Sequence, residues 1–197
     1  MIDSPARAID RRTVRTVASI ESAVREALRE IPLDELTVAE VCRRAGVGRP
    51  SFYTHFGSIP ELVARILTAE IDDELPIPDV ERVDDAYLER ALTDNLATAL
   101  ASVARDRALY RTVFASASSG VLRRVLEEAM ETRVRNIILI WQERGLVGEV
   151  DLAVAIPFAA GGITRALEAW AFDDATDAAN RAIGIRDQMP RWWPFPD

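Results

Sequence analysis

LTVAEVCRRAGVGRPSFYTHFGS, residues 36–58, decides the fold. Thr37 stands three residues before Glu40, the spacing of a capping box. The threonine oxygen takes a backbone N–H at the helix start, and the glutamate reaches back to the cap. Leu36 and Val41 are placed to form the accompanying hydrophobic staple. The helix so begun runs only over residues 38–45, because Gly46 suits the left-handed conformation that ends a helix. Val47 and Gly48 then make a tight turn, and a second short helix begins near Arg49. Pro50 is tolerated there because first-turn N–H groups have no acceptor inside the helix. Phe52 and Phe56, four residues apart, share one face and point inward, and the helix stops at Gly57. Ser58 and Glu61 form a second capping box, which starts a further helix reaching about residue 74.

Upstream, Val14, Val17, Ile20, Val24, Leu28 and Ile31 recur at three- and four-residue spacing, a helix with one buried stripe that Pro32 stops. Downstream, ELPIPDV at residues 74–80 interrupts the pattern with two prolines and marks a boundary. Beyond it only helices are read, near residues 84–104, 108–115, 120–144, 151–172 and 176–189. The fold class is therefore all-α. The division expected is a helix-turn-helix unit at 1–60, a connecting helix at 61–75 and a helical body at 76–197.

Composition narrows the function. One cysteine, Cys42, excludes an intramolecular disulfide framework, and with the single histidine, His55, it cannot supply the usual ligands of a structural zinc site. No metal or cofactor is expected. The uncharged run at 152–163 falls short of the roughly 18 residues of a membrane span. The N-terminus has no signal-peptide core, so a cytoplasmic protein without membrane contact is expected. A net charge of −8 argues against nucleic acid until it is resolved along the chain. Residues 1–56 carry nine arginines against eight acids, the remainder fifteen against twenty-four. An enzyme would need Cys42 and His55 as a nucleophilic pair, but these face different ways on two short helices. Burial as a small hydrophobe is the better reading of Cys42.

Two short helices joined by a glycine-containing turn, behind a longer amphipathic helix, have the proportions of a helix-turn-helix. With Phe52 and Phe56 inward, a 100° step per residue places Pro50 and Thr54 opposite, Ser51 and Tyr53 on the shoulders, and Arg49 and His55 on the flanks. Arg49 could grip a guanine with two hydrogen bonds, Thr54 could meet a base edge and Pro50 a thymine methyl. Ser51, Tyr53 and His55 read as phosphate contacts, which set register. The capped helix start at Thr37 offers N–H groups to phosphate as well. Arg43 and Arg44 either touch phosphate or lie on a solvated face, and an arm around Arg7, Arg11 and Arg12 could add contacts.

The run LTVAEVCRRAGVGRPSFYTHFGSIPEL resembles the N-terminal signature of the TetR family of bacterial transcriptional regulators, in which a small-residue AGV turn precedes a recognition helix ending in an aromatic-x-x-x-Phe pattern. The close match spans about residues 14–67. Beyond it the resemblance lies only in helical character and length. Two positions depart from the pattern: Gly48 stands where a small hydroxyl residue is common, and Ile59 replaces a frequent lysine, so phosphate contacts are not assigned there. The resemblance implies a homodimer that inserts one recognition helix per half-site of a palindromic double-stranded DNA operator, usually as a repressor. It also implies C-terminal helices that dimerise and hold a small-molecule effector. The rival reading is a helical protein-interaction module that has lost DNA binding.

In the C-terminal part, Tyr110, Phe114, Trp141, Phe158 and Trp170 are the aromatics available to an effector pocket. Aromatics at helical spacing mostly fill cores, so each is read first as a core residue. The segment at 152–163 is apolar all round and must be covered on both sides, by its own domain and by a second subunit. Ala159, Ala160, Gly161 and Gly162, with Ile163, would let the two helices approach closely. Trp192 and Trp193 either cover this body or lie exposed.

Overall fold

The computed structural model describes residues 5–75, 84–190, 192 and 193, and among them every regular element is a helix. In chain order these are α1 (Pro5–Ala27), α2 (Val38–Ala45), α3 (Arg49–His55), α4 (Ile59–Glu74), α5 (Asp85–Arg105), α6 (Arg107–Ala115), α7 (Ser119–Glu143), α8 (Leu152–Phe172) and α9 (Ala178–Arg186). The proline-containing boundary segment lies, from Pro76 on, outside the described residues, as do the side chains of Arg7 and Arg11. Two helices differ from the spacing-based reading. α1 begins at Pro5, earlier than the spacing indicated, since the turns before Val14 carry no apolar stripe for periodicity to register. It ends at Ala27, after which Arg29 and Glu30 donate to carbonyls three residues back, the tightening common at a helix end. α9 is shorter than the expected 176–189.

The chain divides into two compact units. The first joins Met1–Ile66 to Thr112–Leu122, and the second joins Leu67–Arg111 to Arg123–Asp197. A contiguous division does not anticipate the stretch from mid-chain that joins the first unit. There the Asp34 carboxylate accepts the Ala117 N–H, at 2.9 Å on its nearer oxygen.

In the first unit α1 packs on α2 and α3. Ile20, Val24 and Leu28 meet a core that includes Val41, Cys42, Phe52, Phe56, Ile59 and Leu62, all buried. Burial of each large side chain contributes about 1.5–3 kcal/mol. Ile59 is thus a core residue, which explains why no lysine is needed at that position.

In the second unit α5 lies against α8 and α9. Leu96, Leu100, Met130, Val134, Ile138, Trp141, Ile156 and Trp170 are buried. α8, at 21 residues, is by length and composition able to cross a membrane, longer than its uncharged run alone suggests. Its inward side nevertheless includes Glu168, 5% exposed, which accepts from Arg123 at 2.6 and 2.9 Å and pairs with Arg165 at 3.0 Å. The Arg123 hydrogen bonds hold this carboxyl below the usual carboxylate range despite its burial. Pro157 lies within α8 and removes the bond to Ala153, but both residues are exposed, where water can reach that carbonyl.

Candidate functional site

α2 starts as its sequence dictates: Thr37 is extended and its Oγ1 accepts the Glu40 N–H at 3.2 Å. The second half of the expected capping box is replaced. The Glu40 carboxylate turns to Arg43, which donates from Nε at 2.8 Å and from a terminal nitrogen at 2.6 Å, and to Arg44, which donates from Nε at 2.8 Å. These hydrogen bonds, Arg43's first, lower the Glu40 pKa to about 2. Arg44 also donates to Glu30 at 2.7 Å, and its side chain is only 14% exposed. The four groups together carry no net charge. Arg43 remains on the surface, whereas the half-buried Arg44 braces α2 against the turn that follows α1.

The turn is set by Gly46, at φ 66°. Its N–H donates to the Arg43 carbonyl at 3.4 Å and the Val47 N–H to the Cys42 carbonyl at 3.0 Å, closing the helix in a Schellman motif. Cys42 is buried below the turn, and burial pushes its thiol pKa up, so it is a packing residue rather than a nucleophile. Gly48, at φ −80°, caps α3 with no side-chain bond.

On α3, Phe52 and Phe56 are buried, their centroids 5.6 Å apart. α3 ends because Phe56 turns extended, rather than through a left-handed Gly57. Arg65 of α4 lays its guanidinium over the Phe56 ring at 4.7 Å and pairs with Glu21 of α1 at 3.2 Å, pinning the far end of α3. Arg49, Pro50, Tyr53 and Thr54 are exposed, and Ser51 and His55 are half-buried. Thr54 Oγ1 donates to the Pro50 carbonyl at 2.9 Å, so its oxygen and methyl face outward while its proton is held. Arg49 makes no ion pair or hydrogen bond among the described residues. It is therefore the uncompensated cation at the head of this face. Arg12 and Arg15 are exposed on α1.

The second unit holds a cavity of about 90 Å³ walled by α5, α7, α8 and Trp193. Of the five aromatics considered for an effector pocket, only Trp141 lines it. Phe114 belongs to the other unit. Tyr110 is buried away from the cavity, and burial and the Glu70 charge push its phenol pKa up. Trp170 donates its indole N–H to the Leu100 carbonyl at 2.8 Å beneath the guanidinium groups of Arg107 and Arg181. Phe158 is 64% exposed.

The residues considered for a dimer contact also divide. Ala159, Ala160 and Ile163 turn into their own core, and Ile163 lines the cavity. Gly161 is half-buried and Gly162 exposed. The outward side of α8 runs through Val154, Phe158, Gly162 and Phe172. Trp193, left open between covering this body and lying exposed, is buried and lines the cavity, whereas Leu96, Asn95 and Arg133 line it without having been singled out by sequence; Arg133, set within the apolar stripe of α7, was the available signal. Among the described residues no group of three or more His, Cys, Asp or Glu is placed to hold a metal ion.

A capped eight-residue helix, a left-handed glycine turn and a second helix seated on two phenylalanines with an arginine-headed outer face define a helix-turn-helix DNA-binding transcription regulator. The family model described as bacterial regulatory proteins, tetR family, matches residues 20–66. The match covers the helix-turn-helix segment, which is thus of this family's DNA-binding type. No curated protein matches the chain in sequence. Among solved structures it is similar to RolR in complex with resorcinol, at 19% identity and a TM-score of 0.65, covering 91% of this chain and 89% of that one. It is also similar to FadR from Bacillus subtilis in complex with stearoyl-CoA, at 14% and 0.64, covering 86% and 95%. A third likeness is to the dihydroxyacetone kinase operon activator DhaS, at 13% and 0.62, covering 87% and 92%. At such identities the likeness is one of fold.

Proposed function

We propose that the chain is a cytoplasmic repressor that binds a palindromic operator as a homodimer, one α3 per half-site, and responds to a small molecule held in the cavity of the second unit. The observation that carries this reading is Arg49, the cation without a counter-charge at the head of an exposed helix face. Arg49 grips a guanine, Pro50 meets a thymine methyl, and Thr54 offers its outward oxygen and methyl to a base edge. Thr37, Ser51, Tyr53 and His55 contact phosphates. Arg43 does so by loosening from Glu40, and Arg44 positions α2.

The second copy docks on the outer side of α8. Val154 and Phe158 are 63% and 64% exposed there, and a Cβ added at Gly161 or Gly162 would meet nothing within 4 Å. The smallness of these glycines is therefore unused among the described residues, and the partner helix supplies its use. RolR and FadR are solved with a bound small molecule, which supports a ligand-responsive second unit.

The test is a mobility shift of a labelled upstream DNA fragment in excess nonspecific competitor, followed by a reporter on the same promoter. Binding that survives competition and a reporter that rises when the gene is deleted are expected. A complex lost to competitor in every condition would leave the interaction-module reading standing. A reporter that falls on deletion would make the protein an activator, as DhaS is named.

A further inference from the structure

We infer that Glu40 is an internal competitor of the DNA backbone: its carboxylate occupies the place on Arg43 where a phosphate would bind, and so holds down the affinity of the chain for duplex DNA of any sequence. The inference rests on the DNA-binding reading of α2 and α3, and on neither the operator nor the effector. In a helix-turn-helix the first helix crosses the phosphate backbone, so the anion that α2 meets in a complex is a phosphate. α2 already supplies an anion of its own to the arginine exposed on it. Glu40 takes two hydrogen bonds from Arg43, Nε on one carboxylate oxygen at 2.8 Å and a terminal nitrogen on the other at 2.6 Å. Arginine grips two oxygens of a phosphate with the same fork. The Arg43 side chain is 68% exposed, so a phosphate reaches its guanidinium once the carboxylate gives way.

Arg43 and Arg44 have unequal parts in this. Arg44 donates to Glu40 at 2.8 Å and to Glu30 at 2.7 Å, and its side chain is 14% exposed. Loss of the Glu40 charge leaves Arg44 half-buried and still paired with Glu30, so one arginine is released and not two. Glu40 also stands in the first turn of α2, at the positive helix end that favours phosphate, and its charge offsets that end as well. Its pKa of about 2 keeps it ionised at any pH at which the chain would meet DNA. Across the turn, Arg49 has no such counter-charge among the described residues. The arginine placed to read a base is left open and the one placed for the backbone is masked. The sequence-independent share of binding is therefore the share that Glu40 lowers.

The experiment follows the fluorescence anisotropy of a labelled duplex of arbitrary sequence with the full chain, as a function of sodium chloride concentration. Each phosphate neutralised adds about 0.9 to the slope of log affinity against log salt. Glu40→Gln is expected to steepen that slope by about 0.9 for each chain bound, and to raise affinity at about 0.1 M salt by at least about threefold. Glu40→Ala, which keeps the backbone N–H that Thr37 caps, is expected to do the same. Adding Arg43→Ala to Glu40→Gln is expected to restore the wild-type slope, whereas Arg43→Ala alone moves it little. Glu30→Gln removes an equal charge from the network but leaves Arg43 clamped, and is expected to leave the slope unchanged. On a panel of single-base duplex variants, Glu40→Gln is expected to raise all affinities alike, since phosphate contacts carry no sequence information directly.

An unchanged slope in the two Glu40 variants, with helical circular dichroism retained, would overturn the proposal. So would an equal steepening in Glu30→Gln or in the double variant, which would make the effect one of net charge alone, and so would a duplex that neither wild type nor variant binds at low salt. Operator binding that survives competitor, with the slope unmoved by Glu40→Gln, would leave the regulator reading and sink this one. A steepened slope in a chain that holds no operator fragment against competitor would do the reverse.

Discussion

Arg43 lies against Glu40 with two guanidinium nitrogens on the carboxylate, at 2.6 and 2.8 Å, on the helix just before the one that carries the unpaired Arg49. The two arginines flank the same turn and have opposite electrostatic standing. Arg49→Ala should cost about 1–3 kcal/mol of operator affinity and relax preference at one base position. Arg43→Ala should weaken all sequences alike, and less, because its charge is already shared with Glu40. Competition binding against a panel of single-base operator variants checks both.

The depressed pKa of Glu40, about 2 against 4.5 for an ordinary glutamate, links the first unit to pH. A carboxylate with a lowered folded-state pKa contributes stability that is fully present above its unfolded value and is lost as pH falls through the folded one. The urea midpoint of the wild-type chain should therefore exceed that of Glu40→Gln by a constant margin above about pH 5. The margin should close between about pH 4.5 and 2. A margin that widens on acidification would contradict the Arg43 and Arg44 hydrogen bonds as its cause.

Gly46 and Gly48, two residues apart, should respond oppositely to substitution. Gly46 is left-handed at φ 66°, so Gly46→Ala should destabilise by about 1 kcal/mol or somewhat more. Gly48 is extended at φ −80°, and a Cβ there would meet Pro50 Cδ at an ordinary 3.5 Å. Gly48→Ser should be neutral or stabilise by a few tenths of a kcal/mol, since serine caps helix starts well. Thermal unfolding of the two variants decides.

If the outer side of α8 is the dimer contact, Phe158→Asp places a charge in its middle. Sedimentation at micromolar concentration should then show monomer, with the helical circular dichroism retained. Ala160→Asp, by contrast, buries its charge within the chain and should unfold the second unit.

Arg123→Met should destabilise by roughly 2–3 kcal/mol, because it strips the two closest donors from a buried carboxylate and leaves only Arg165. Replacing both partners, Arg123→Met with Glu168→Leu, should recover most of that loss in chemical denaturation, since an apolar pair leaves no unpaired charge.

The helix-turn-helix was legible because its instructions are local. The Thr37 cap, the Gly46 stop, Pro50 in a first turn and the four-residue spacing of Phe52 and Phe56 act within one or two turns, and each sits where its neighbours in sequence require. The Glu40 clamp is as local, at three- and four-residue spacing to Arg43 and Arg44, but a capping box and an ion pair compete for one carboxylate. The arginines, with Glu30 brought alongside by packing, take it.

By itself, then, the sequence determined the succession of helices, the turn between α2 and α3, and the outward set from Arg49 to Thr54. Periodicity and capping are properties of neighbours. Only the tertiary structure decided which side of the apolar α8 faces its own core, sending Ala159, Ala160 and Ile163 inward and leaving Phe158 in solvent. Only it brought Trp193 from the end of the chain to Trp141. A helical stretch without a polar face, as at 152–163, carries no sign of which side is covered, and two tryptophans some fifty residues apart come into ring contact only through the folding of the chain between them.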